Sequence, residues 1–114
     1  MKIKDEKINK ILPDIEKKII EIFGEKVEKI ILFGSYARGD FNPESDFDIL
    51  VIVNDNDLRS YRKARAKIIS EFLFKYDILL SIRLASKDTF NRNKMISPFY
   101  QNVIKEGISL YGER

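Results

Sequence analysis

Apolar residues follow two different spacings along the chain, and these spacings predict its helices and strands. From residue 8 to residue 23 they recur every three or four positions, which predicts an amphipathic first helix. Its apolar positions are Ile8, Ile11, Leu12, Ile15, Ile19, Ile20 and Phe23. Pro13 predicts a first-turn position or a break in this helix, and Gly24 predicts its end. Two denser apolar runs, residues 27–33 and 46–53, predict two strands.

The second half of the chain continues the alternation of helices and strands. The polar loop 54–57 predicts a cap for a helix over residues 58–74, and residues 76–85 predict a third strand. Ser86 to Asp88 predicts the cap of a short helix. Ser97-Pro98 predicts the start of a last helix that ends near Gly107. Residues 108–111 predict a short edge strand or a packed segment. This order predicts one α/β (α+β) domain over residues 1–114, a small mixed sheet with helices packed over it.

Composition narrows the chemistry of such a domain. The 114 residues include no Cys and no His, which excludes disulfides, thiolate chemistry and Cys/His metal sites. A metal ion would have to be a hard cation on carboxylate oxygens, and Mg²⁺ is the first candidate. The net charge of +3 is compatible with an anionic ligand, but it does not indicate nucleic-acid binding and leaves it open.

The same sequence contains no membrane or export signal. It has no run of about 18 apolar residues, which argues against a transmembrane helix. The N-terminal residues 1–10 are charged and lack the apolar centre of a signal peptide. We therefore expect a cytoplasmic location and no membrane partner.

Two carboxylates stand at the start of the second predicted strand. Successive strand side chains alternate between faces, so Asp46 and Asp48 share one face and Phe47 takes the other. Two adjacent carboxylates repel each other, and burying the pair is costly unless a cation lies between them. A divalent ion that also touched triphosphate oxygens would neutralise charge during phosphoryl or nucleotidyl transfer. The pair therefore predicts a Mg²⁺ site.

A glycine turn precedes the carboxylates. Gly34 lacks a Cβ and lets the backbone approach a ligand closely, and Ser35 offers a hydroxyl and an N–H. A short helix over residues 36–38 would point its N–H groups at the same place, and Arg38 would add positive charge. Ser45 could orient a carboxylate of the pair. The turn therefore predicts a phosphate-binding loop.

Together, Gly34-Ser35, ten intervening residues and Asp46-Phe47-Asp48 resemble the G-S-x10-D-x-D motif of the DNA polymerase β-like nucleotidyltransferases. In its small size, the chain resembles members of the minimal nucleotidyltransferase branch of this family. The resemblance implies the nucleotidyltransferase fold and a Mg²⁺-dependent transfer, with one or two ions. The transferred group would be a nucleoside monophosphate, AMP from ATP as the first choice and other nucleotides remaining open. The acceptor would be a hydroxyl, and pyrophosphate would leave.

The resemblance also implies a third carboxylate on a later strand, as a metal ligand or as the base for the attacking hydroxyl. In the predicted third strand, Asp77 has the parity of Leu79, Ser81 and Arg83, near which the family's acid often lies. Asp77 is therefore the predicted third acid, and a plain strand-edge aspartate is the alternative. Asp88 is a weaker candidate because it belongs to a predicted helix cap.

The acceptor is the remaining question. Minimal members of the family are similar in size and often act as antitoxins that modify a HEPN-domain ribonuclease toxin on a tyrosine, which implies a protein acceptor. Two other hypotheses stay open. The chain could be a weak or inactive nucleotide-binding antitoxin module that acts by binding its partner, or a subunit whose partner supplies a missing group. Homo-oligomerisation is also open.

Overall fold

The computed structural model describes residues 6–112, which form five helices and four strands. The helices are α1 (Glu6–Phe23), α2 (Ser35–Arg38), α3 (Arg62–Tyr76), α4 (Lys87–Asn93) and α5 (Pro98–Glu106). The strands are β1 (Val27–Phe33), β2 (Phe47–Val53), β3 (Leu80–Ser86) and β4 (Ile108–Tyr111). A single 3-10 turn, Arg59–Tyr61, precedes α3. None of the helices in this part of the chain is long and apolar enough to cross a lipid bilayer.

The strands form one mixed sheet in the order β3-β2-β1-β4. Strand β1 pairs antiparallel with both β2 and β4, whereas β2 and β3 are parallel. The two central strands are β1 and β2, and their dense apolar runs are buried on both faces, as expected for strands covered by helices on both sides. The predicted fold class, a small mixed sheet with helices over it, is confirmed.

Helices cover both faces of the sheet. On the first face, α1 and α3 pack against side chains that include Ile30, Ile49 and Val51. On the second face, α4 and α5 pack against Ile31, Leu50, Ile52 and Ala85. Neighbouring residues of one strand therefore contribute to different cores, and this alternation decides which helices each polar side chain of β2 meets.

Most predicted boundaries lie close to the observed ones. Gly24, with φ of 89°, ends α1 as predicted, and its N–H donates to the Ile20 carbonyl at 3.0 Å. The hydroxyls of Ser86 and Ser97 cap α4 and α5. Asp57 accepts a hydrogen bond from the Arg59 N–H at 3.0 Å, so the polar loop does precede a helical segment.

Two predictions about elements are wrong. Pro13 neither begins nor breaks the first helix, because α1 continues through it. The missing N–H costs one helix hydrogen bond, but the buried stripe on either side, with Leu12 and Ile15 almost fully buried, holds the helix together. The third strand begins at Leu80, not at residue 76, because α3 continues to Tyr76.

The last turn of α3 is held by contacts distant in sequence. The Tyr76 hydroxyl donates to the Asp14 carboxylate of α1 at 2.5 Å, and Lys75 pairs with the same carboxylate at 3.1 Å. The Tyr76 ring also packs beside Phe72. These contacts favour a further helical turn over the strand that the local apolar pattern predicted.

Candidate active site

Gly34 forms a backbone turn against the start of β2. It precedes α2 with φ of 77° and ψ of −156°, a region that glycine alone adopts without strain. Asp48 pairs with Phe33 across the two strands, which brings its carboxylate beside the turn. A Cβ built on Gly34 would collide with the Asp48 carboxylate. Only glycine therefore lets the turn and this carboxylate lie so close together.

Stacked aromatic rings hold the turn in place. Tyr36 of α2 is buried, and its ring stacks on Phe47 at 3.9 Å and on Phe41 at 4.4 Å between centroids. Phe47 is part of β2, so the stack ties the loop between β1 and β2 to the first face of the sheet. The short helix predicted at residues 36–38 is confirmed, and it begins one residue earlier.

Asp46 and Asp48 interact at the start of β2. Asp48 is half-buried and lies on the second face, whereas Asp46 is exposed and directly precedes the strand. Burial raises the pKa of Asp48, and the negative charge of Asp46 raises it further, while Arg38 opposes the shift. The pair therefore carries the mutual repulsion that the sequence predicted, and a positive charge nearby would relieve it.

A pocket of about 390 Å³ opens beside these groups, within the range of small-molecule sites. We call it the Asp48 pocket. It lies between the Gly34 turn and α5, and its lining residues are Phe33, Gly34, Ser35, Arg38, Asp48, Phe99, Asn102, Val103 and Glu106. The predicted residues Gly34, Ser35, Arg38 and Asp48 thus surround one cavity.

Arg38 lines this pocket, but it already forms ion pairs with two carboxylates of the protein. Its guanidinium contacts Asp40 at 3.2 Å and Glu106 at 3.6 Å. Arg38 therefore links α2 to the end of α5. Its positive charge lowers the pKa of Asp48, but this effect is smaller than the opposing effects of burial and of Asp46. A ligand phosphate would have to compete with Asp40 and Glu106 for this cation.

Asp77 does not join the other two aspartates. It follows α3 in the left-handed conformation, φ 56° and ψ 43°, and its N–H donates to the Leu73 carbonyl at 3.0 Å. Its placement on a strand was wrong, because α3 continues to Tyr76, Asp77 caps that helix, and β3 begins only at Leu80.

The exposed Asp77 side chain lines a separate cavity of about 310 Å³. We call this cavity the Asp77 cleft. Its lining residues are Ile8, Tyr36, Phe41, Asn42, Pro43, Phe47, Asp77 and Ile78. Phe47 and Asp48 point to opposite faces of β2, so the cleft and the Asp48 pocket lie on opposite sides of the sheet.

Ser45 also lies away from the Asp48 pocket. Its hydroxyl accepts a hydrogen bond from the Asn42 N–H at 3.0 Å, which stabilises the loop before β2. The side chain lines a surface shared with Pro43 and Asp77. The structure therefore gives Ser45 a contact within the loop, and its predicted role in orienting a carboxylate stays a prediction.

Helix α5 supplies four of the residues that line the pocket, Phe99, Asn102, Val103 and Glu106, and none of them was predicted as a site residue. Phe99, Asn102 and Glu106 lie on the helix face that packs over β1 and the Asp48 pocket. The sequence predicted α5 only as a helix that begins at Ser97-Pro98 and ends near Gly107. A signal existed in the i, i+3, i+7 spacing of these three residues, which places them on one helix face, but nothing in the sequence tells where that face lies.

The donor set fits a Mg²⁺ ion that is shared with a ligand. Within residues 6–112, no cluster of three or more His, Cys, Asp or Glu side chains is arranged to hold a metal ion. Mg²⁺ is commonly bound by one or two carboxylates together with substrate phosphates and water. Asp46 and Asp48 supply such a pair, and Gly34 places backbone, not a side chain, against the Asp48 carboxylate.

Comparison with known proteins agrees with this fold. The nucleotidyltransferase domain family matches residues 12–110. The curated Methanocaldococcus jannaschii protein "Putative protein adenylyltransferase MJ0604" is 42% identical over 86 residues, 75% of this chain and 80% of that protein. "Putative protein adenylyltransferase MJ0141" of the same organism is 42% identical over 74 residues, 65% of this chain and 75% of that protein. The chain belongs to the nucleotidyltransferase domain family.

Solved structures show the same fold at lower identity. A crystal structure of a toxin–antitoxin with AMP-PNP is 24% identical, with a TM-score of 0.61, and the match covers 90% of this chain and 74% of that one. A tri-AMPylated Shewanella oneidensis HEPN toxin in complex with MNT antitoxin gives 22% identity and a TM-score of 0.56, over 91% and 72% of the two chains. The resemblance drawn from Gly34-Ser35 and Asp46-Phe47-Asp48 is confirmed.

Proposed function

We propose that this chain transfers AMP from ATP to a hydroxyl group on a partner protein. The observation that carries the proposal is the contact of the Gly34 turn with Asp48, beside a pocket large enough for a ligand. Two relatives bear the name protein adenylyltransferase. One structural neighbour is described with AMP-PNP, and another contains an AMPylated HEPN toxin. A HEPN-type protein is therefore the proposed acceptor.

The residues of the Asp48 pocket, together with Asp46 directly before β2, suggest a division of roles. Asp46 and Asp48 would hold Mg²⁺, which when bound supplies positive charge for the phosphate oxygens. The backbone at Gly34 and Ser35 would lie against the triphosphate, and the missing Cβ of Gly34 leaves room for the Asp48 carboxylate beside it. The acceptor oxygen would form a bond to the α-phosphorus while the bond to pyrophosphate breaks.

The proton of the acceptor hydroxyl needs a base. Asp77 was predicted for this role, and it faces the other side of the sheet from Asp48. Glu106 is the second carboxylate that lines the Asp48 pocket, where it pairs with Arg38. We therefore propose that Glu106, or a group of the partner, receives the proton, and we retain Asp77 as the sequence-based alternative.

Label transfer tests the function directly. The chain is incubated with Mg²⁺, a candidate HEPN-type partner and ATP labelled at either the α- or the γ-phosphate. Nucleotidyl transfer predicts partner labelling from α-labelled ATP only, lost in Asp48→Asn. Label from γ-labelled ATP would indicate phosphoryl transfer instead. Mg²⁺-dependent ATP binding without labelling would favour the second candidate function, a module that inhibits its partner by binding.

A further inference from the structure

Arg83 shares the second face of the sheet with Asp48. In the parallel pairing of β2 and β3, Asp48 lies opposite Ser81 and Leu50 lies opposite Arg83. Leu50 belongs to the core of the second face, and directly paired residues point to the same face. Arg83 is therefore two residues further along the sheet than the position beside Asp48, in the part of β3 where the resemblance implied a carboxylate.

An aromatic contact places the Arg83 guanidinium against Phe99, a residue that lines the Asp48 pocket, although Arg83 itself is not one of the lining residues. Its Cζ atom lies 4.1 Å from the centroid of the Phe99 ring. Phe99 lines the pocket and packs edge-on against Phe33, another lining residue, with centroids 5.4 Å apart. A guanidinium stacked on a ring keeps the donors on its edge available for other partners.

No carboxylate in the described part of the chain neutralises the charge of Arg83. Arg83 is exposed, and among the described residues 6–112 no carboxylate lies within salt-bridge distance of it. Arg38, the other cation near the pocket, contacts two carboxylates. The two arginines therefore differ in their capacity for an anionic ligand, and Arg83 is the one whose N–H groups remain open to it.

We propose that Arg83 binds the β- or γ-phosphate of a nucleoside triphosphate in the Asp48 pocket. The proposal rests on the proposed function and deepens it, because it replaces the expected third carboxylate with a phosphate-binding cation. A planar guanidinium matches phosphate oxygens with two parallel hydrogen bonds. Ring stacking on Phe99 holds the fork in one orientation, which reduces the entropy lost when phosphate binds.

Calorimetric titration with three ligands tests this assignment. AMP, a non-hydrolysable ATP analogue and inorganic tripolyphosphate are titrated, each with Mg²⁺, into the wild-type chain, Arg83→Gln and Arg83→Lys. Arg83→Gln should weaken the binding of the ATP analogue and of tripolyphosphate by about 10- to 100-fold, the range expected for the loss of charge-assisted hydrogen bonds. Its AMP affinity should change by less than about threefold, and Arg83→Lys should recover part of the loss.

Arg62→Gln is the matched control. Arg62 is an exposed arginine at the start of α3, which packs on the first face of the sheet. Its removal takes away the same charge at a distance from the pocket and should leave all three affinities unchanged. Thermal unfolding of each variant shows that the fold is retained.

Three results would overturn the assignment. Unchanged affinity of Arg83→Gln for the ATP analogue, with binding lost in Asp48→Asn, would remove the role of Arg83 and leave the proposed function intact. An equal loss of AMP and ATP-analogue affinity would show that Arg83 acts on the nucleoside or on Phe99. Absence of triphosphate binding by the wild-type chain would overturn both proposals.

Discussion

The Asp48 pocket and the Asp77 cleft adjoin the same strand on opposite faces and differ in the surroundings of their carboxylates. Asp48 is half-buried, repelled by Asp46 and covered by a glycine turn. Asp77 is exposed at the end of a helix, beside a cleft walled by the stacked rings of Tyr36, Phe41 and Phe47. The surroundings of an aspartate therefore decide what chemistry it can support. Neither the residue type nor the predicted strand parity distinguished Asp48 from Asp77.

The largest expected difference between the two regions is in transfer activity. Asp48→Asn should lower AMP transfer by on the order of 100-fold or more, because a metal ligand contributes several kcal/mol to stabilising transition-state charge. Asp77→Asn should retain activity within about threefold, since its side chain lies outside the Asp48 pocket. Initial rates of label transfer to the partner measure both. A large loss of transfer activity in Asp77→Asn would instead support the role of Asp77 as the third acid, as predicted from the sequence.

Substitution of two glycines, Gly34 and Gly39, tests the role of the turn before β2. Gly34→Ala should abolish nucleotide binding and cost about 1–3 kcal/mol of stability, because the residue requires a glycine-only conformation and its Cβ would meet Asp48. Gly39→Ala should cost about 1–2 kcal/mol for its left-handed backbone and retain binding, because no atom lies within 4 Å of its added Cβ. Urea unfolding and nucleotide titration measure both effects. Equal loss of binding in the two variants would contradict a specific role for Gly34.

The contact that fixes the end of α3 can be broken directly. Tyr76→Phe removes the hydrogen bond to Asp14 and should cost about 1 kcal/mol at pH 7. That hydrogen bond is the largest cause lowering the pKa of Asp14. The associated stability is present above the ordinary aspartate range, near roughly pH 4, and is lost as pH falls through the lowered pKa. The difference between variant and wild type should therefore shrink in acid, and a pH-independent difference would contradict this origin.

The smallest expected effect concerns stability without ligand. The raised pKa of Asp48 means that its contribution to stability is present in acid and lost as pH rises through the folded-state value. Asp48→Asn should therefore raise the melting temperature slightly at pH 7, and this gain should disappear below roughly pH 4. Melting curves of the wild-type chain and the variant in the absence of Mg²⁺ and nucleotide, recorded across this pH range, measure the gain.

Local sequence patterns predicted many of the helices and strands, because interactions between residues close in sequence determine where these elements begin and end. The dense apolar runs of β1 and β2 fit strands buried on both faces, and Gly24, Ser86 and Ser97 end or begin helices by contacts within a few residues. The prediction failed between residues 76 and 79. There, Tyr76 ends α3 and its hydroxyl contacts Asp14, 62 residues away, and residues 77–79 connect the helix to β3.

The sequence by itself determined the glycine turn, the aspartate pair and the family, because motif spacing and strand alternation are properties of the linear chain. Only the tertiary structure decided which other groups reach that site. It turned Asp77 to the opposite side of the sheet, brought α5 with Phe99 and Glu106 over the pocket, and placed Arg83 beside Phe99. The physical reason is that these neighbours depend on the packing of distant elements, which no local spacing specifies.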